Sequence, residues 1–456
     1  MSLLVIKFGG NVLASAAGIQ ETLEIIQTQY EIWDSMVVVT SALVGVTDQL
    51  YEIAQTAAYS DEKTLRGQIA ELRRLHIAAA QRAVQDPDRR ANLLSALDSL
   101  FFDLIEDCAE VQKQRAADPA QVDQIVAMGE RLVVRIVAAA GREAEMDCVP
   151  LDGNHLIITD DRHSNARPNT PLSKQHIEQN LVPLLGRGFV PVVTGYIGAN
   201  EKGAITTLGR GGSDYSATYL AAILGAMEVW FFTDVEGLMS ADPAVVPGAQ
   251  VLPTSSYHEV AEMARFGARV LHPLAIEPLV QQQIPLRIRS LHLPNSSGTY
   301  IYDHTDTQTQ RLHAITQALA VRVVGPRGSN MTEVCSRLVL RWLNDEIQPS
   351  LQVENNAGNM VIYVAPTSVN QERFYKFIDQ LQQYESGDMW DVEVVNVLAF
   401  IGPLSIADHI RILDVLNDAN IVPVAFAQGV GGAFLVAVPP TAAQVAIQHA
   451  HQLIAS

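Results

Sequence analysis

Four short apolar runs constrain the fold more than any other part of the chain. Residues 3–8, 35–41, 190–196 and 229–234 are rich in Val, Ile, Leu and Phe, and each closes on or beside Gly, Ser, Thr or Asp. Runs this short and this uniformly apolar read as strands covered on both faces, and the stretches between them read as helices. The pattern predicts an α/β fold with a largely parallel sheet between helices. In such sheets ligands gather beyond the carboxyl ends of the strands, so the residues that close each run are where function is sought first.

The first run ends Lys7-Phe8-Gly9-Gly10-Asn11. A lysine in a buried strand either snorkels to the strand end or meets an anion there. The two glycines expose backbone N–H groups beside it, which makes phosphate a natural partner. The order differs from the Walker loop, whose lysine follows the glycines and opens a helix. Residues 206–217 read Thr-Thr-Leu-Gly-Arg-Gly-Gly-Ser-Asp-Tyr-Ser-Ala. Gly209, Gly211 and Gly212 permit close backbone approach, and a helix predicted over 215–224 points its free N–H groups back at them. Arg210 supplies a fork that grips carboxylate or phosphate through two bonds. Ser213 or Asp214 also suits a helix N-cap, and glycine-rich loops also serve as plain turns.

The chain's 456 residues exceed one ordinary core, so a second region is expected beside the sheet domain. Fifty acidic residues face 31 basic ones, for a net charge of −19, and no basic patch stands out. Nucleic acid and anionic membranes are therefore not expected partners, and the scarce cations Lys7, Arg210 and Arg269 gain weight. Cys108, Cys148 and Cys335 are scattered and odd in number, as in a reducing cytoplasm. No apolar run approaches membrane-spanning length. His163, His258 and His272 have no partner at zinc spacing and read as structural or loop residues. Residues 49–118 form a polar, strongly helical insertion with Gly67 and Pro87 as its breakers, and 293–299 read as a turn-rich linker. Beyond it, Leu343-Asn344-Asp345 recurs as Leu416-Asn417-Asp418, and residues 358–366 recur as 431–439 at the same offset. Each copy reads strand, helix, strand, turn, strand, helix, the ferredoxin-like order.

Several of these stretches together resemble the aspartate kinases of the amino-acid kinase superfamily. They are Lys7-Phe8-Gly9-Gly10, residues 40–48, Gly129-Glu130-Arg131, residues 159–167, 194–219 and 233–237, Ser240-Ala241-Asp242-Pro243, and residues 266–273. The resemblance implies an amino-acid kinase domain over residues 1–300, with the helical insertion at 49–118. Two ferredoxin-like ACT domains would follow at 313–385 and 391–456. It implies ATP- and Mg2+-dependent phosphorylation of the side-chain carboxylate of L-aspartate to 4-phospho-L-aspartate, the first step toward lysine, threonine and methionine. Lys7 would neutralise the transferring group, and Ser41, Thr47, Glu130, Arg210, Ser213 and Asp214 would bind the amino acid. Arg210 would take the α-carboxylate, with Glu130 and Asp214 at the α-ammonium. Without the resemblance, Glu130 reads as a solvated residue on a helix over 121–139. Lys7, Gly9, Gly10, Thr233, Asp234, Ser240, Asp242 and Arg269 would bind the nucleotide. Asn11, Met239, Ala244 and Arg269 depart from the family pattern. An amino-acid effector such as lysine or threonine at the paired repeat, a homodimer or larger homo-oligomer, and a cytoplasmic location are further expectations. The effector loops would be residues 325–330 and 400–405, with 353–356 and 428–429 on the facing strands. The alternatives are a non-catalytic amino-acid sensor, or a kinase for another acidic amino acid.

Overall fold

The computed structural model of the protein describes residues 2–13, 16–59, 62–268, 271–293, 296–303, 312–326, 347–354, 359–366, 371–388, 391–429 and 431–454. Two compact units are present: Met1–Gly237 with Leu274–Asp303, and Leu238–Pro273 with His304–Ser456.

In chain order the first unit begins β1 (Leu3–Phe8), α1 (Gly10–Leu13), α2 (Ala16–Tyr30), β2 (Ser35–Thr40), α3 (Val46–Ala58), α4 (Glu62–Ala83) and α5 (Pro87–Gln114). It continues through α6 (Pro119–Val126), α7 (Met128–Glu143), β3 (Cys148–Leu151), β4 (Ile158–Thr159), α8 (Thr170–Asn180) and α9 (Val182–Leu185). Next come β5 (Val190–Thr194), β6 (Ile197–Asn200), β7 (Ile205–Thr207), α10 (Gly212–Leu224) and β8 (Glu228–Thr233). After β9 (Thr254–Ser256) and α11 (Tyr257–Arg265), both in the second unit, α12 (Pro273–Gln282), β10 (Leu286–Ser290) and β11 (Thr299–Tyr302) complete it.

Its main sheet runs β3-β5-β2-β1-β8-β10-β11, parallel throughout except for β11 against β10. Leu4, Val5 and Ile6 of β1 and Val37, Val38 and Val39 of β2 are fully buried, as expected of parallel strands sandwiched by helices. Phe8 and Phe232 stack with ring centroids 5.2 Å apart and fix the central strands at their carboxyl ends. Lys7 sits there too, in register with Val39 and Phe231. β4, β6 and β7 form a second small sheet.

Several local expectations need correction. The third apolar run is a strand only to Thr194, because Tyr196 adopts a left-handed backbone (φ 67°) before β6 begins. In the insertion Pro87 does open a helix, at N1 with Asp86 accepting from Arg89 N as its cap, but Gly67 lies inside α4. The good helix formers around Gly67 outweigh its cost of about 1 kcal/mol. The single helix expected over 121–139 is two, α6 and α7, meeting at Ala127. The helix after the glycine-rich loop starts at Gly212 rather than Tyr215.

In the second unit, β12 (Ala314–Pro326), β13 (Ile347–Glu354), β14 (Asn359–Pro366), β15 (Asp391–Ile401), β16 (Ala425–Gln428) and β17 (Phe434–Val438) form one antiparallel sheet, ordered β13-β14-β12-β15-β17-β16. Helices Gln371–Asp388, Ile406–Asp418 and Ala443–Ala450 accompany it. The two sequence copies share strands rather than following one another as separate modules. Residues Val321 to Pro326 of β12 pair with β14, while β12 as a whole also pairs with β15. The start of β12 thereby supplies the outer strand of the second copy, and the start of β15 supplies that of the first. Leu398, Phe400, Ile412, Leu416, Phe434, Val436 and Ile447 close the second copy's core. Of the expected effector loops, residues 327–330 and 355–356 lie outside the described residues. Among the described residues no helix is long and apolar enough to cross a membrane.

Candidate functional site

Lys7 meets its anion inside the protein. Its Nζ lies 2.6 Å from Asp214 Oδ1, with the two side chains only 15% and 17% exposed, and 5.6 Å from the centre of the Phe231 ring. Of the two glycines after it, Gly10 is required by close approach. A Cβ on Gly10 would stand 2.6 Å from the Ala42 carbonyl oxygen, and one on Gly9 would stand 3.4 Å from Lys7 Nζ. The double glycine thus forms an open cradle beside an ammonium group.

Asp214 comes from the glycine-rich loop. Gly209 (φ 77°) and Gly211 (φ 67°) take left-handed conformations that other residues rarely adopt. Gly211 is itself the N-cap, and no side chain caps the helix start, so Ser213 and Asp214 occupy the first turn of α10 and neither is the cap. Such a start is suited to an anion. Arg210 is exposed at the loop's tip. Ser213 packs on Gly195, where a Cβ would come within 2.6 Å of its own, and Gly195 N donates to Thr40 O at 2.9 Å, next to Ser41.

Glu130 is buried at the start of α7, only 3% exposed, and is not the solvated residue its helix suggests. Burial pushes its carboxyl up to about 8, against the stabilising backbone N–H groups of Ala42 and Glu130 itself. Its Oε2 has no hydrogen-bond partner among the described residues. Gly129 lets α7 approach this closely: a Cβ there would lie 2.7 Å from Ala42 Cβ. Ser41 and Thr47, both half-buried, flank the same segment, Thr47 in the first turn of α3. The hydroxyls of Tyr51 and Tyr196 lie 3.2 Å apart. Burial raises both phenols, and the Glu130 carboxylate adds to the rise. Lys7, Ser41, Ser213, Asp214 and Glu130 therefore converge at the carboxyl ends of β1, β2 and β5.

Of the residues expected at a nucleotide, Asp234 accepts from Thr233 Oγ1 at 2.9 Å and from Asn11 Nδ2 at 3.0 Å. Burial pushes its carboxyl up, but these bonds and the backbone outweigh that and hold it below the usual range. Asn11, a departure from the family pattern, is thereby explained as a donor to Asp234. Ser240 belongs to the second unit: its hydroxyl is 2.8 Å from His451 Nε2, accepts from Gln250 N and is 1% exposed. Exposed Asp242 accepts from Ala244 N at 2.9 Å, a local turn. Arg269 lies outside the described residues.

Two carboxylates escaped the sequence reading. Asp152 binds Arg131 and Arg135 and braces α7 beneath Glu130. Asp123, in α6, is completely buried. The available signal for Asp123 was an acidic residue directly beside the apolar positions Val122, Ile125 and Val126.

The sequence matches the amino acid kinase family over residues 2–290. It is 31% identical over 304 residues to the lysine-sensitive aspartokinase 3 of Escherichia coli (strain K12), covering 67% of this chain and 65% of that one. It is 32% identical over 305 residues to the aspartokinase of Chlamydia pneumoniae, covering 66% and 63%. The matched part thus spans less than two thirds of either relative. In fold it resembles the crystal structure of E. coli aspartokinase III in complex with aspartate and ADP, with a TM-score of 0.81 at 23% identity over 100% of both chains.

Proposed function

Because the chain belongs to the amino acid kinase family, we propose that it transfers the γ-phosphoryl group of ATP to the side-chain carboxylate of L-aspartate, giving 4-phospho-L-aspartate and ADP. The observation that carries this is the Lys7–Asp214 pair at 2.6 Å, set between a double-glycine cradle and the uncapped start of α10. The names of the curated relatives, both aspartokinases, support aspartate as the acceptor.

A carboxylate oxygen of the acceptor attacks the γ-phosphorus, and the bond from that phosphorus to the bridging oxygen breaks, leaving ADP. The acceptor is already ionised at neutral pH, so no general base is needed, and the protein's work is positioning and charge neutralisation. Lys7 neutralises charge on the transferring group, held in place by Asp214. Arg210 grips the α-carboxylate, Glu130 receives the α-ammonium, and Ser41, Thr47 and Ser213 complete the acceptor site. Gly9 and Gly10 leave room for phosphate, and Thr233 and Asp234 of the same unit form the proposed nucleotide side. Asp234, kept ionised and exposed, suits Mg2+, which a single carboxylate and substrate phosphates commonly hold. Bound Mg2+ would supply further neutralisation of phosphate charge. The paired repeat is the proposed effector site, with lysine the first effector to test because the E. coli relative is called lysine-sensitive.

Glu130 supplies a direct test. With its carboxyl at about 8, it is largely protonated at pH 7 in the free protein, and an arriving ammonium favours the carboxylate. Titration calorimetry at pH 7 in buffers of different ionisation enthalpy is expected to show release of about one proton per L-aspartate bound, lost in Glu130→Gln. Because the folded value is raised, the free protein should lose stability as pH climbs from the ordinary 4.5 toward 8, and Glu130→Gln should flatten that slope. Binding without proton release would move the ammonium away from Glu130. Absence of any L-aspartate binding would remove the substrate assignment.

A further inference from the structure

Asp123 is fully buried, yet it faces neither Lys7 nor Glu130 as a partner; it gathers two segments of backbone. Ser164 N donates to its two oxygens at 3.1 and 2.9 Å, and Ser164 Oγ lies 3.4 Å from Oδ1. Thr207 N donates to Oδ2 at 3.1 Å and Thr207 Oγ1 to Oδ1 at 2.7 Å. His163 Nδ1 lies 2.9 Å from Oδ2. Thr207 is the last residue of β7, immediately before the loop carrying Gly209, Arg210 and Gly211. Ser164, at φ 66°, belongs to the segment on which that loop rests: a Cβ on Gly209 would stand 3.2 Å from Ser164 O and 3.1 Å from Asn165 Oδ1. Ala166 N closes the arrangement by donating to Thr207 O at 2.9 Å. The Thr207 side chain also hydrogen-bonds to Tyr196, whose hydroxyl meets that of Tyr51 beside Glu130.

We propose that Asp123 is a positioning residue for the acceptor site: one buried carboxylate ties residues 163–164 to Thr207 and so sets where the loop carrying Arg210 stands. This rests on the reading of Arg210 as the grip on the amino acid. The chemistry requires a carboxylate. Each oxygen accepts from at least one backbone N–H, so an asparagine in either orientation turns its NH2 toward another donor. Asp123 touches no reacting atom, and its effect should fall on acceptor binding rather than on phosphoryl transfer.

The test pairs two readouts on the full chain. In Asp123→Asn, amide exchange followed by mass spectrometry should speed up about tenfold or more in peptides covering 160–167 and 206–214, while β1 stays protected. The KM for L-aspartate should rise about tenfold, with the ATP KM and kcat within about twofold, since a small displacement of a gripping loop weakens only what it grips. Thr207→Val removes one donor and keeps the strand, and should shift both readouts the same way by about threefold; it decides the matter if Asp123→Asn does not fold. Unchanged exchange in 206–214 would show that Asp123 does not hold the loop. Faster exchange with an unchanged aspartate KM would reduce Asp123 to a structural residue. Wild-type protein that fails to turn over L-aspartate would instead defeat the functional reading, and the exchange data would still decide whether Asp123 holds the loop.

Discussion

Lys7→Ala should lower kcat on the order of 10³-fold while leaving the dissociation constant for L-aspartate nearly unchanged, the scale of losing one preorganised transition-state donor. The substitution removes the ammonium that neutralises the transferring group, and it also leaves Asp214, 2.6 Å away in the wild type, as an uncompensated negative charge facing the phosphates. Lys7→Arg should rescue little. The larger planar head cannot place one compact charge 2.6 Å from Asp214 as Nζ does. Steady-state kinetics beside equilibrium aspartate binding check this, with thermal melting to confirm the fold. A variant with near-normal turnover would move charge neutralisation to another group.

Arg210→Ala should raise the aspartate KM on the order of 10²-fold, the usual cost of losing one side of a charged, hydrogen-bonded pair. The ATP KM should stay put, because Arg210 stands on the loop between β7 and α10 and not at the glycine cradle after β1. Arg210→Lys should recover only part of the loss, since an ammonium cannot form the two parallel bonds of a guanidinium. An unchanged aspartate KM in Arg210→Ala would put the α-carboxylate elsewhere.

The sheet was legible because its central strands are buried on both faces and leave unbroken apolar runs. The end of the run at Thr194 was harder, since the turn that stops it is made by Tyr196, a residue type that favours strands but takes a left-handed conformation here. Lys7 could be read as a lysine in need of an anion, but not its partner, which is 207 positions away in sequence and joins it only through the parallel order β1-β8 and the packing of α10 on the sheet. Glu130 misled because charge suggests solvent. The start of α7 is buried, and the close approach of Gly129 to Ala42 carries the neighbouring carboxyl inside with it. The repeat was visible as sequence similarity, whereas the sharing of β12 and β15 was not, because similarity marks the copies and not which strand completes which. Likewise residues 238–273, which carry Ser240 and Asp242, fold with the C-terminal unit, and Ser240's hydroxyl finds His451 there. For Asp123 the apolar neighbours signal burial but not its role, since every group it binds lies at least 40 residues away.

The most direct measurement is ADP release with ATP and Mg2+, with hydroxylamine present to trap an acyl phosphate, run in parallel on L-aspartate, L-glutamate and N-acetyl-L-glutamate. ADP and hydroxamate formed in equal amounts with L-aspartate, and at background with the other two, is the predicted result. L-Aspartate that binds without stimulating ADP release, or turnover that prefers either of the other two acceptors, would contradict an aspartate-phosphorylating site built on Lys7, Arg210 and Glu130.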